Sequence, residues 1–261
     1  MPSHDADWKT TMAEWSWEPD DFAALWYSDA NDRFPHPLRY ISRLATNDEV
    51  AAHRAAVRAR YDVEESEQIE LALHTLTTSE LRIEIAGEST ILGKGEPREY
   101  RVLGARTPFH AVMLTQTAAG GVDSPIRCRL FRTEQLAARL AAILPSVPPG
   151  SAKPDTFHIE DLRSGNNGHG RNSPLERFDR LTQHRSGAGV AGLLAGYLHS
   201  RPAPWYAIGW FDTESDGRYI QQQTREHITI RPATTGDLTN YFESWIELAL
   251  KRMRGDEPDN W

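Results

Sequence analysis

The chain has 261 residues, 39% of them hydrophobic and 25% charged, which is enough apolar material for a sizeable core. Its formal net charge of −8 argues against a broad phosphate-binding footprint. No apolar run approaches the ~18 residues a membrane helix needs, so a membrane-spanning protein is not expected.

The first dozen residues and the last eight are polar and read as loose tails. "WSWEPDDFAALWYSD" predicts a short strand or turn, then a helix opened near Pro19 with acids in its first turn. "FPHPLRYI" is expected to be extended, because prolines flank His36. Thr46 and Glu49 stand at capping-box spacing and open a helix, and a second follows with Ile69, Leu73 and Leu76 on one stripe. The period then changes. Leu81, Ile83 and Ile85 alternate with Arg82, Glu84 and Ala86, as in a half-buried strand. "EYRVLGART", "FHAVMLTQT" and "IRCRLF" supply three more strands, and "TEQLAARLAAIL" a helix with Leu136, Leu140, Ile143 and Leu144 inward.

"PSVPPGSAKP" reads as a linker, at about 145–155. Beyond it come the apolar piece "FHIEDL", a Gly/Asn loop, and a helix near Leu175 to His184. Further β-like runs and a long helix with Leu238, Tyr241, Phe242, Trp245 and Leu248 on its apolar face close the chain. Each half, about 14–145 and about 156–253, thus has about four β-like runs and then an amphipathic helix. The halves share negligible residue identity, so the repeat lies in element order. One α+β unit is expected, with a mainly antiparallel sheet.

Chemical motifs are weak. Gly187, Gly189 and Gly192 form a literal GxGxxG, and Asp212 lies near the offset of a ribose-binding acid. A nucleotide-binding enzyme built on 187–192 and Asp212 is therefore one reading. Against it, a polar-faced helix rather than a buried strand precedes the glycines, which read as a helix C-terminus. The 10 histidines give no HExxH; His158 and His169 straddle a loop without a third ligand, so neither metal nor cofactor is expected. Cys128 alternates with Ile126 and Leu130 as a buried strand residue. As the single cysteine it forms no internal disulfide, and with no signal segment visible at the start a reducing cytosol is expected. The tryptophans, among them Trp15, Trp17, Trp26, Trp205, Trp210 and Trp245, are expected in the core, with a binding patch as the alternative. In "GWFDTESDGRYI" the Asp216-Gly217 pair between apolar runs marks a hairpin rather than a catalytic loop.

"PWYAIGWFDTESDGRYI" followed by "HITIRPATTGDLTNYFESWIEL" resembles the C-terminal signature of the EspG family of type VII (ESX) secretion proteins. Asp212, Thr213, Gly217, Arg218, Tyr219, Pro232 and Ala233 carry the resemblance, with Phe22, Leu25, Trp26, Pro35 to Leu38, Thr46 and Glu49 in the first half. The resemblance implies a central, mostly antiparallel sheet flanked by helical bundles, with two quasi-symmetric halves in a single domain. It implies a non-enzymatic cytoplasmic chaperone that binds helical PE/PPE-like or WXG100-like secretion substrates, without nucleic acid or membrane insertion; whether the empty protein forms a homo-oligomer stays open at this point. A client-independent structural oligomer is the remaining alternative. Asp212, Thr213, Gly217, Arg218 and Tyr219 are then structural. Arg127 and Arg129 on one strand, and Gln221 and Gln223 on another, are the outward polar candidates for contact with the ends of partner helices.

Overall fold

The computed structural model describes residues 12–164, 173–200 and 202–255. In chain order come β1 (Ala13–Trp17), α1 (Pro19–Trp26), α2 (Asn47–Arg58), α3 (Val63–Thr77), β2 (Leu81–Ser89), β3 (Arg98–Arg106), β4 (His110–Ala119), β5 (Val122–Asp123), β6 (Ile126–Arg132) and α4 (Leu136–Ala142). Then follow β7 (Asp155–His158), α5 (Ile159–Ser164), α6 (Pro174–Thr182), β8 (Arg185–Ala195), β9 (Tyr206–Thr213), β10 (Arg218–Gln223), β11 (His227–Pro232) and α7 (Thr235–Arg254).

The strands form one antiparallel sheet in the order β1-β6-β4-β3-β2-β8-β9-β10-β11-β7, with β5 appended to β4. Counted outward from the central β2–β8 pair, the two directions read β2, β3, β4, β6, β1 and β8, β9, β10, β11, β7. The second half retraces the connections of the first. This is the α+β architecture with quasi-symmetric halves that the element order implies.

Strand alternation sorts side chains onto two faces. On the first face lie Ile83, Val102, Met113, Leu193, Ile208 and Ile220, sealed by Leu136 and Leu140 of α4 and by Leu238, Phe242 and Trp245 of α7. On the second face the helices divide. Residues of β1, α1 and α3, including Trp15, Trp17, Phe22, Trp26 and Leu76, pack on Leu103, Leu114 and Cys128 at one end. Leu162 of α5 with Phe178 and Leu181 of α6 pack on Phe157, Phe211 and Tyr219 at the other.

Local chemistry fixes the helix ends. Thr46 and Glu49 make the capping box at the start of α2, and Thr234 with Asp237 makes another at α7. The left-handed Gly255 (φ 76°) closes α7.

Three expectations need correcting. The 35–38 segment turns rather than extends: the His36-Pro37 bond is cis and the Leu38 amide donates to the Pro35 carbonyl at 3.1 Å. The 187–192 glycines are no helix end but the middle of β8, paired along their length with β2 and β9. Gly189 is a glycine because rings from two other strands cross it. A Cβ on Gly189 would stand 2.4 Å from the Trp210 ring and 2.5 Å from the Tyr100 hydroxyl. Arg82, expected on a solvated face, is 1% exposed. Its guanidinium donates to the carbonyls of Gly196, Tyr197 and Ser200 and pairs with Glu84, so it anchors the loop after β8.

Candidate partner-binding surface

The β9–β10 hairpin spends Asp212, Asp216 and Arg218 within the chain. Arg218 is 0% and Asp212 2% exposed, and they form a two-pronged pair with Nε–Oδ1 at 2.7 Å and Nη2–Oδ2 at 2.9 Å. The Arg218 side chain also donates to the Pro145 carbonyl at 2.9 Å, while its backbone bonds Pro148 and Gly150. Asp216 accepts from the Ser151 amide and the Tyr219 hydroxyl, and the Ala152 amide donates to Tyr219. Those bonds, from Tyr219 first and then Ser151, hold the Asp216 carboxyl below the usual carboxylate range. The 145–152 segment, read in the sequence as a linker, is thereby tied to the start of β10. Thr213 closes the turn with Gly217, whose φ of 143° and closeness to the Pro148 carbonyl suit only a glycine. Asp212 thus reaches across the hairpin to Arg218 instead of bonding within its own turn.

The other sequence candidates do not come together. Arg127 and Arg129 lie on the first face at the β6–β1 end, where both pair with Glu14, at 3.3 and 3.0 Å. The acid that the two arginines meet is in this chain. Gln221 and Gln223 lie on the second face, and only Gln221 reaches its centre. Cys128 is buried, which pushes its thiol up and away from nucleophilic use. His158 packs edge-on against His227 at 5.0 Å, whereas His169 lies outside the described residues. Among the described residues no cluster of three or more His, Cys, Asp or Glu suits a metal ion, and no helix is long and apolar enough to cross a membrane. Gly187 to Gly192 offer no phosphate cradle, because their strand is bonded to a neighbour on both sides. Trp15, Trp17, Trp26, Trp210 and Trp245 are core residues.

What sequence reading missed is the centre of the second face. Between the helices of the two halves the sheet lies open as a groove of about 520 Å³, continuous through Ala86, Gly87 and Glu99 with a neighbouring hollow of about 420 Å³. Its floor is one row across the sheet, Ala86, Val190, Gly209 and Gln221 in register. Val190 is 60% exposed there, an aliphatic side chain in the middle of an 11-stranded sheet. Short side chains keep the floor shallow enough for another surface to reach the backbone.

One wall is the 36–39 segment, fixed because the Gln116 amide brackets the Arg39 backbone, accepting at 2.8 Å and donating at 2.9 Å. The opposite wall is Arg185, its guanidinium 4.8 Å above the Phe211 ring. The loop held by Arg82 lies beyond the floor, where Pro204 covers Gly192. Most charges around the groove are matched. Glu99 meets Arg101 and Arg39, and Glu84 meets Arg82 and His36. Among the described residues Glu88 and Arg185, both exposed, form no ion pair. The faint sequence signal for this floor was the small-residue run in β8 set against the alternation of β2.

A family model described as the EspG family matches residues 18–243, most of the chain. The chain belongs to the EspG family. Among solved structures, this EspG protein is similar in fold to EspG5 of Mycobacterium tuberculosis, a type VII secretion system chaperone solved in complex with a PE25-PPE41 dimer. The match has a TM-score of 0.55 at 14% identity and covers 92% of this chain and 96% of that one. The tesB protein of Mycobacterium avium subsp. paratuberculosis (8% identity, covering 82% of this chain and 96% of that one) and HtdX of Mycobacterium tuberculosis (11%, 87% and 100%) align with TM-scores of only 0.18, too low to bear on the fold. No curated protein sequence matches the chain.

Proposed function

We propose that this EspG protein is a cytoplasmic chaperone of a type VII secretion system that holds a helical PE/PPE-type heterodimer on the open centre of its sheet. The observation that carries the reading is the floor itself. An exposed Val190 amid Ala86 and Gly209, walled on both sides, is apolar area left without cover at the centre of the sheet. Family membership and the fold shared with EspG5, whose solved complex holds a PE25-PPE41 dimer, support the choice of partner. The role requires no catalytic step: covering the partner's apolar tip keeps it soluble until export.

The test is co-expression with the PE/PPE-type pairs encoded in the same genome, followed by capture on the tagged chain. A soluble ternary complex is expected, and Val190→Asp abolishes it while the melting temperature of the chain stays within a degree or two. A well-folded homo-oligomer that captures no such dimer would favour the client-independent alternative and end this reading.

A further inference from the structure

The groove is electrically two-ended. Across one row of the second face stand Glu99 on β3, Glu88 on β2, Ala188 on β8 and Phe211 on β9, in register. Glu99 is neutralised by Arg101 and Arg39, which leaves Glu88 as the unmatched acid. Arg185 lies over Phe211, two strands away. Its Nε donates to the Thr182 carbonyl at 3.1 Å, which fixes the side chain without cancelling its charge. Two strand spacings are about 9.5 Å. Packed helices stand roughly 8 to 10 Å apart, axis to axis.

That coincidence has a chemical consequence. The tip of an antiparallel helix pair presents two unlike ends side by side. One helix finishes there, with free carbonyls and partial negative charge; the next begins there, with free amides and partial positive charge. We propose that Glu88 and Arg185 read these two ends and so fix which way round the partner's helical tip sits. The finishing helix stands over Arg185 and the starting helix over Glu88, with the loop between them on Val190. Gln221, beside Gly209 on the Arg185 side, donates its amide to the same free carbonyls. The inference rests on the proposed partner and adds the polarity of its docking. Two charges of opposite sign also reject a tip docked in reverse, since each would then face a like partial charge.

The experiment uses the full chain and the PE/PPE-type dimer that it captures. Glu88→Lys and Arg185→Glu are both surface changes, so the fold is retained. Each is expected to weaken affinity about fivefold, and the two together about twentyfold. Orientation is read separately through Gln221→Cys, which leaves both charges in place. Cys128 is buried, so the new thiol is the accessible one. It is expected to form a disulfide with a cysteine in the last turn of the partner's finishing helix, and not with one in the first turn of the starting helix. The reverse cross-link would overturn the inference. So would unchanged affinity in both charge variants while Val190→Asp still abolishes capture, a result that leaves the groove reading standing. Capture unaffected by Val190→Asp as well would remove both.

Discussion

The β9–β10 hairpin and the central floor lie a few residues apart in the sheet and use charge in opposite ways. In the hairpin, Asp212, Arg218 and Asp216 all find ion-pair or hydrogen-bond partners within the chain, and those partners include the backbone of the 145–152 segment. Beside the floor, Glu88 and Arg185 face solvent without an ion-pair partner among the described residues. A dense cluster of charged residues therefore marks architecture here, and a sparse, unmatched pair marks the proposed recognition surface. Gly189 and Val190 repeat the contrast within one strand: Gly189 has a ring against it on the sealed face, whereas Val190 faces the open groove.

The sharpest way to break the comparison is Asp212→Ala. It leaves the Arg218 guanidinium buried and uncompensated, which costs about 3–5 kcal/mol of folding free energy. Urea denaturation measures it. Replacing both members, Asp212→Leu with Arg218→Met, should recover much of that loss, since no charge then remains buried. A neutral Asp212→Ala would mean that the hairpin charges are free for a partner after all.

Gly217→Val comes next. The new side chain would need φ near 143° and a Cβ only 2.5 Å from the Pro148 carbonyl. The expected loss is about 1–3 kcal/mol, read as a lower melting temperature, with capture of the dimer unchanged once the protein is folded. A variant that folds normally and fails to bind would instead move the hairpin into the interface.

The neighbouring pair sharpens the contrast further. Gly189→Val must displace Trp210 or Tyr100 and is expected to cost about 1–3 kcal/mol. Val190→Ala removes two exposed methyl groups, so stability should change by no more than about 0.5 kcal/mol while affinity for the dimer falls. Differential scanning calorimetry and a binding titration on the same two preparations separate the faces.

These contrasts show which features were legible in the sequence. The Thr46–Glu49 box, the alternation at Leu81 to Ile85 and the strands-then-helix order were readable because their causes are local. Arg82 was not. Alternation assigns it to the face opposite Leu81, but nothing nearby in sequence announces that the 196–200 loop covers that face. Gly189 misled for a similar reason: its need for space arises from Tyr100 and Trp210 on other strands. Arg127 and Arg129 read as free because Glu14 is more than a hundred residues away, and β1 lies beside β6 only in the folded sheet. The groove itself depends on where two separate sets of helices stop, which no single segment encodes.

The smallest expected effect tests whether the hairpin's acids really serve the fold. The Asp216 carboxyl is held below its ordinary range, first by the Tyr219 hydroxyl and then by Ser151. A depressed carboxylate favours folding once the pH exceeds its unfolded value, about 3.9, and that contribution fades as the pH falls through the lower folded value. Wild type and Asp216→Asn should therefore differ in stability by a constant amount from neutral pH down to about pH 5, and converge below about pH 4. Because Asp216 is half-exposed, the gap should be a fraction of that for Asp212→Ala. Melting temperatures across pH 3 to 7 measure the convergence. Parallel curves that never meet would show that Asp216 acts through hydrogen-bond shape alone, and a gap that widens in acid would contradict the depressed carboxylate outright.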